Sequence, residues 1–188
     1  MFYPLNIIDH FYVADDALKR LLLQHSRQVA VRALSICDRH PELQLDREFI
    51  EAAAMLHDIG IIACDAPGIY CHGSQPYICH GTCGAHMLRS LSPDFLGEGI
   101  DIERYARVCE RHTGAGLSAA DIASQHLPLP EKDLLPETLE EQVICYADKF
   151  YSKSRPEVEK TLEQATQSLR KFPGDGVARF LRWAEMFE

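Results

Sequence analysis

The chain has 188 residues, of which 46% are hydrophobic and 25% are charged, and its formal net charge is −9. This composition is typical of a folded globular protein and excludes a disordered chain. The negative charge argues against stable nucleic-acid binding, because affinity for a duplex depends on lysine and arginine at the phosphates. The chain has no apolar run near the roughly 20 residues that span a bilayer. Its start also lacks the basic residues of a signal peptide, so we expect a cytoplasmic protein without membrane contact.

Helical periodicity dominates the first third of the chain. Apolar residues recur at helical spacing in "DDALKRLLLQHSRQVAVRALSICDRH". Asp15 or Asp16 is the predicted N-cap of this helix, and Pro41 is expected to stop it. The next helix, in "LDREFIEAAAMLHDIG", is predicted to start at an Asp46 N-cap. Gly60 stands where a left-handed residue often ends a helix.

The segment from Ile61 to Cys79 contains two prolines, two glycines and no sustained period. It is predicted to be a loop, long enough to suggest a function. A short helical turn is predicted between Gly116 and Pro128. Longer helices are predicted in "GTCGAHMLRSL", "IDIERYARVCERH", "ETLEEQVICYADKFYSKS", "PEVEKTLEQATQSLRKF" and "GVARFLRWAEMF".

These patterns predict an all-α fold with about seven or eight helices and no β-strand. We expect one domain over residues 1–188, with a core at 16–154 and C-terminal helices at 155–188 that pack on it. The apolar stripes of the C-terminal helices predict either core packing or the surface of a homodimer. They contain Val158, Leu162, Ala165, Leu169, Phe180, Leu181, Trp183 and Phe187.

Metal-capable side chains recur along these predicted helices. Neutral imidazoles and ionised carboxylates bind one or two divalent transition metals, such as Fe, Mn, Zn, Co or Ni. Two of these residues are adjacent, so they lie about 100° apart around a helix and can enter one cavity while aiming at different points. The set comprises His25, His57, Asp58, His80, His112 and Asp148.

The order H…HD…H…H…D, with "HDIG" at its centre, resembles the HD-domain family of metal-dependent phosphohydrolases. The resemblance runs from about His25 to Asp148 and includes "HSRQVA", "HGTCGAHML", "RHTGAGL" and "CYADKF". It implies an α-helical fold with a mono- or dinuclear metal site. It also implies hydrolysis of a phosphate ester or anhydride in a small nucleotide or phosphorylated metabolite.

The resemblance also implies a role for each metal-capable residue. Asp58 is expected to be catalytic by bridging two ions. Four residues are implied as ligands of a first metal, and the remaining two histidines as ligands of a second. The first set is His25, His57, Asp58 and Asp148, and the second adds His80 and His112.

Two other histidines compete with His80 for the second site. His86 is six residues further on, about 240° around a helix, and is expected to face elsewhere. Only His80 matches the family pattern H-x-x-x-G-A-x-x-L. His72 is a candidate for substrate contact from the loop. Each histidine also has a simpler interpretation as an ordinary partly buried side chain.

Seven cysteines are spread along the chain, an odd number that argues against a disulfide framework. Cys71, Cys79 and Cys83, with His72 and His80 nearby, raise the alternative of a structural zinc site. They lack the paired C-x-x-C spacing of common zinc modules. The other interpretation is that these cysteines are small buried hydrophobic residues.

Cations follow the last predicted ligand in "ADKFYSKSR". On a continuous helix Lys149 and Lys153 are one turn apart and share a face. We predict that Lys149, Lys153 and Arg155 bind phosphate groups and that Lys149 also contributes to catalysis. The alternative is a solvated helix face with ordinary ion pairs.

Together these features predict a metal-dependent phosphohydrolase whose partner is a small phosphorylated substrate, most simply a nucleotide. Two alternatives share the fold. One is a nucleotide-binding sensor without turnover, and the other is a di-iron oxygenase with the same ligands.

Overall fold

The computed structural model describes residues 3–14, 16–172 and 174–188. These residues form ten α-helices, which confirms the predicted all-α class and exceeds the predicted number of helices. The helices are α1 (Pro4–Phe11), α2 (Ala17–Arg39), α3 (Arg47–Leu56), α4 (His80–Arg89), α5 (Pro93–Leu96), α6 (Ile102–Arg111), α7 (Ala119–Ser124), α8 (Leu139–Asp148), α9 (Leu162–Leu169) and α10 (Gly176–Phe187).

Several helix starts follow the predicted capping residues. The Asp16 carboxylate accepts a hydrogen bond from the backbone of Lys19 at the start of α2, whereas Asp15 lies outside the described residues. At the start of α3, Asp46 accepts a hydrogen bond from the backbone of Phe49. Such caps satisfy backbone N–H groups that have no partner within the helix.

The predicted loop after α3 contains three short β-strands, so the expectation of no strand was wrong. They are β1 (Cys64–Ala66), β2 (Cys71–His72) and β3 (Gln75–Pro76). β1 pairs with β2 antiparallel and with β3 parallel, in the order β2-β1-β3. Strands of two or three residues are too short to show alternation in the sequence.

Gly60 does not end α3 in a left-handed conformation, contrary to the expectation from its position. α3 ends at Leu56, and a 3-10 helix (Ile59–Ala63) includes Gly60 with an ordinary backbone angle. The glycine is needed for space, because a Cβ atom there would lie 2.1 Å from the His80 carbonyl oxygen and 2.2 Å from the Gly84 nitrogen. The segment that follows the HD pair therefore lies directly against α4.

The helices pack in two main groups around one large apolar core, and Leu117, Ile122 and Leu134 form a second, smaller apolar cluster. α2 contacts α3 and α8, and α4 contacts α6 and the 3-10 helix after α3. α10 packs on α8, where the Tyr146 ring lies 4.9 Å from that of Phe180 between centroids. Ala165, Leu169, Phe180, Trp183 and Phe187 belong to the same core as the residues of α2 and α3. The domain boundaries themselves stay a prediction.

Two predicted helices are shorter than expected. α8 ends at Asp148, and α9 begins only at Leu162, so residues 149–161 are not α-helical. Val158, Leu162 and Leu181 are exposed and do not contribute to the core. Among the described helices, none is both long enough and apolar enough to cross a membrane.

Candidate metal centre

The first group of predicted ligands converges from three helices. α2 supplies His25 from its interior, the end of α3 leads into His57 and Asp58, and Asp148 is the last residue of α8. His25 Nε2 lies 2.9 Å from Asp148 Oδ1 and 3.0 Å from Asp58 Oδ2. His57 Nε2 also lies 3.0 Å from Asp58 Oδ2. All four side chains are buried, and their donor atoms lie close enough to hold one metal ion.

The second group contains Asp58, His80 and His112. His80 is the first residue of α4, and His112 follows the last residue of α6. His80 Nε2 is 3.5 Å and His112 Nε2 is 3.4 Å from Asp58 Oδ1. The two oxygens of Asp58 therefore face different groups, the arrangement expected of a carboxylate shared by two ions.

Backbone hydrogen bonds set the tautomer of three histidines. The Nδ1 atoms of His57, His80 and His112 each lie 2.7 Å from the carbonyl oxygen three residues earlier. A carbonyl can only accept, so each Nδ1 carries a hydrogen. In the neutral ring Nε2 then presents a lone pair to the centre, as a metal ligand requires.

Several atoms that could ligate a metal are buried at the centre without a hydrogen bond. Within the described residues, His57 Nε2 and both carboxylate oxygens of Asp58 lack a partner with hydrogen-bond geometry, although the Lys153 ammonium makes an ion-pair contact with Asp58 Oδ2. His80 Nε2 and His112 Nε2 face each other at 3.0 Å, where two lone pairs would repel. Buried polar atoms left in this state are costly. A divalent cation would satisfy them, so the residues present fit a metal.

Neighbouring cations keep both carboxylates ionised. Burial opposes ionisation of Asp58, but Lys153 and His57 outweigh it and hold the pKa of Asp58 well below its usual range. Burial likewise opposes ionisation of Asp148, and the Lys149 ammonium is the main group that lowers its pKa. The ionised form is the one that binds a cation.

Burial opposes protonation of all three tautomer-defined histidines, but the net pKa shift differs among them. Burial lowers the pKa of His112. It also lowers the pKa of His80 to about 3, with repulsion from His112 adding to the effect. Burial opposes protonation of His57 too, but Asp58 and Asp148 reverse this and raise its pKa to about 9. A metal bound at the first group would displace that proton, because a ligating imidazole must be neutral.

Comparison with known proteins agrees with this geometry. The chain matches the HD domain family over residues 22–152, more than two thirds of its length and a range that contains all six predicted ligands. It belongs to the HD-domain family. This membership points to a metal-dependent hydrolase-like protein, and the buried cluster is compatible with a divalent metal.

Three curated relatives are similar to this HD domain. An uncharacterized protein of Methanocaldococcus jannaschii is 32% identical over 139 residues, which cover 73% of this chain and 70% of the relative. A tRNA (cytidine(56)-2'-O)-methyltransferase of Picrophilus torridus is 34% identical over 76% of this chain and 33% of its own length. The enzyme of the same name from Thermoplasma volcanium is 29% identical over 80% of this chain and 36% of its own length. The chain thus spans about a third of each methyltransferase, and no solved structure matches it.

A cavity of about 270 Å³ opens beside the second ligand group of the HD domain. His80, His112 and Asp148 lie in its wall. Most of the remaining wall comes from the segment after α8 and from the end of α9. The other lining residues include Tyr77, Lys149, Tyr151, Lys153, Lys160, Ser168, Lys171 and Phe172.

Lys149 and Lys153 reach the centre by a route that differs from the predicted one. They do not share a helix face, because α8 ends at Asp148. The Lys149 ammonium donates to the His112 carbonyl oxygen at 2.9 Å and to Asp148 Oδ2. The Lys153 ammonium contacts Asp58 Oδ2. Both cations therefore neutralise predicted ligand carboxylates from within the cavity wall.

Other predicted site residues lie away from this cavity. His72 on β2 and Arg155 are exposed and are not among the lining residues, so the structure does not bring them to the site. His86 is exposed on α4, as its helical phase predicts. Lys160 and Lys171 line the cavity instead, and no period or motif in the sequence marks them.

The cysteines show no metal site among the described residues. No cysteine belongs to a group of three or more side chains whose donor atoms are close enough to hold an ion. Cys71 and Cys79 are buried, Cys83 is half-buried, and all seven thiols are free. This arrangement favours the packing interpretation over a structural zinc site.

Proposed function

We propose that this HD domain is a metal-dependent phosphohydrolase that cleaves a phosphate ester or anhydride of a small nucleotide or phosphorylated metabolite. The observation that supports it most is the buried convergence of Asp58 with four imidazoles. His57 Nε2 and both Asp58 oxygens in this cluster lack hydrogen-bond partners among the described residues, and the cluster lies beside a cavity lined by lysines. Carboxylate, imidazole and ammonium groups together suit a metal and a phosphate ligand.

The proposed ligands follow the two groups at the centre. A divalent metal bound there supplies Lewis acidity, which lowers the pKa of water and polarises a phosphoryl oxygen. The first position would be held by His25, His57, Asp58 and Asp148, and the second by Asp58, His80 and His112.

The remaining groups position the reactants and stabilise charge. In hydrolysis, water forms a bond to phosphorus and the bond from phosphorus to the leaving oxygen breaks, while negative charge grows on the phosphoryl oxygens. Lys153, in contact with Asp58, is placed to stabilise that charge. Lys149 holds Asp148 and the backbone of His112 in place, so we assign it a positioning role.

The test is phosphate release by metal-loaded protein from a panel of nucleoside mono-, di- and triphosphates. We expect release that stops with a chelator and returns when metal is added back. Nucleotide binding without release would support the sensor alternative, and iron with oxygen uptake would support the oxygenase. Either result would overturn hydrolysis as the function.

The methyltransferase names of two relatives do not carry over to this chain. The matched part is only about a third of each of those proteins. At the centre of this chain, buried imidazoles and carboxylates that can ligate a metal lie beside a cavity lined by lysines, an arrangement that suits hydrolysis. A small substrate also suits the net charge of −9 better than tRNA does.

The second metal position depends on His80 in this proposal. We expect His80→Ala to lower the metal count per chain, because its Nε2 is one of three donors at that position. His86→Ala is the matched control, since this exposed histidine lies on the same helix. Elemental analysis of both purified variants measures the count. A normal count in His80→Ala with a reduced count in His86→Ala would reverse the assignment.

A further inference from the structure

Part of the cavity wall comes from residues beyond the family match, which ends at residue 152. Lys160 lies in the non-helical segment between α8 and α9, and Lys171 follows α9. Phe172 holds this part of the chain near the centre. A Cβ atom on Gly114, two residues after His112, would lie 3.3 Å from the Phe172 ring. Both lysines thus line the same cavity as the candidate ligands.

The four cavity lysines differ in their partners. Lys149 and Lys153 pair with the carboxylates of Asp148 and Asp58. Among the described residues, neither Lys160 nor Lys171 has a carboxylate within ion-pair distance. Neither ammonium group is therefore in a direct ion pair, although Asp148 attracts Lys160 from beyond ion-pair distance.

Lys160 is held in place without being neutralised. Its ammonium donates to the backbone oxygens of Lys149 at 3.2 Å and Tyr151 at 3.4 Å. An ammonium has three donors, so one remains for another acceptor. Burial lowers the pKa of Lys160. Attraction by Asp148 opposes this shift, whereas repulsion from Lys149, Lys171 and Lys153 adds to it. An anion in the cavity would relieve this repulsion.

Lys171 is the more exposed of the pair. Its ammonium lies 5.2 Å from the centroid of the Phe172 ring, within the range of a cation–π contact. A cluster of like charges is unusual in a chain with net charge −9, because acidic partners are plentiful elsewhere on its surface. Two cavity lysines without acidic partners can therefore attract an anion from outside the protein.

We propose that Lys160 and Lys171 form an anion subsite for a phosphate group of the substrate other than the one attacked. The substrate is then a compound with at least two linked phosphate groups. This inference rests on the proposed phosphohydrolase function, since the attacked phosphate lies at the metal centre.

The probes are methylenediphosphonate, a two-phosphorus compound whose bridge resists hydrolysis, and orthophosphate. Titration calorimetry on the whole metal-loaded chain measures the affinity for each. We expect methylenediphosphonate to bind more tightly. In Lys160→Gln/Lys171→Gln its dissociation constant should rise about tenfold or more, since two charge-assisted hydrogen bonds are lost. Orthophosphate affinity should change less than about twofold.

Arg170→Gln is the matched control. It removes the same charge at the neighbouring position, where the side chain is exposed and does not line the cavity. Because Lys160 also bonds to the backbone, its replacement can disturb folding. The single variant Lys171→Gln, which replaces an exposed side chain, avoids this difficulty. In it the dissociation constant for methylenediphosphonate should rise about threefold. Elemental analysis confirms equal metal content in all variants.

The outcomes separate this inference from the proposed function. Unchanged methylenediphosphonate affinity in Lys171→Gln and the double variant would overturn the subsite, as would an equal loss in Arg170→Gln. If one of these two results is obtained and nucleotides are still hydrolysed, the proposed function stands without the subsite. If no nucleotide is hydrolysed but the diphosphonate preference depends on both lysines, the subsite stands and hydrolysis fails.

Discussion

Asp58→Asn should remove metal and hydrolytic activity together. Asparagine keeps the size of the side chain but loses the negative charge and one carboxylate oxygen. In the structure the two oxygens of Asp58 face the two ligand groups separately. We therefore expect metal affinity to fall more than about 100-fold, the upper range for replacing groups outside the ligand shell.

Elemental analysis and phosphate release from the same preparation measure this effect. Asp65→Asn is the control, because Asp65 lies on β1 with an exposed side chain and belongs to neither ligand group. It should keep metal and activity. Full metal content in Asp58→Asn would contradict the assignment of Asp58 as the shared ligand. Full metal with no activity would leave Asp58 catalytic but not essential for metal binding.

The sequence is sufficient to find the residues that converge at the centre. Each lies in or next to a predicted helical segment, within a helix or no more than two residues beyond its end, and their order matches a known family. A helix fixes the direction of a side chain relative to its neighbours, so the positions of His25 and Asp148 can be inferred locally. Their binding of metal stays a prediction.

Cations in the cavity wall are only partly predictable from the sequence. Helical spacing singles out Lys149 and Lys153, but that spacing does not apply, because α8 ends at Asp148. Lys160 and Lys171 escape prediction because tertiary packing of non-helical segments brings them to the cavity. Arg155 is a candidate by its position in the chain alone, and its side chain is exposed.

Short elements escape prediction for a similar physical reason. α1 has eight residues, and Pro4 in its first turn is its one clear start feature. The strands β1, β2 and β3 contain two or three residues each, and pairing between neighbouring segments creates them. Such contacts leave no periodic pattern in the sequence.

Gly60→Ala should destabilise the protein and disturb the metal centre, although it adds only one methyl group. The new Cβ atom would lie 2.1 Å from the His80 carbonyl oxygen and 2.2 Å from the Gly84 nitrogen. Both are backbone atoms of α4, so no flexible side chain can move aside. Overpacking typically costs about 1–3 kcal/mol, and because both contacts are with backbone we expect a loss at the upper end, about 3 kcal/mol or more, in the free energy of unfolding.

The clash in Gly60→Ala should also push the first ligand group away from the second. Gly60 follows Asp58 by two residues, and α4 begins with His80. Moving the two backbones apart should therefore lengthen the contact between Asp58 and His80, which is now 3.5 Å. Metal at the second position should be lost before metal at the first.

Denaturant unfolding and elemental analysis of Gly60→Ala and Gly68→Ala test this expectation. Gly68 lies in the 3-10 helix Pro67–Ile69 with an ordinary backbone angle, and a Cβ atom added there would have no neighbouring atom within 4 Å. Alanine there should be neutral or stabilise by up to about 1 kcal/mol, because it restricts the unfolded chain. Equal stability and metal content in both variants would show that the chain after the HD pair does not depend on close contact with α4.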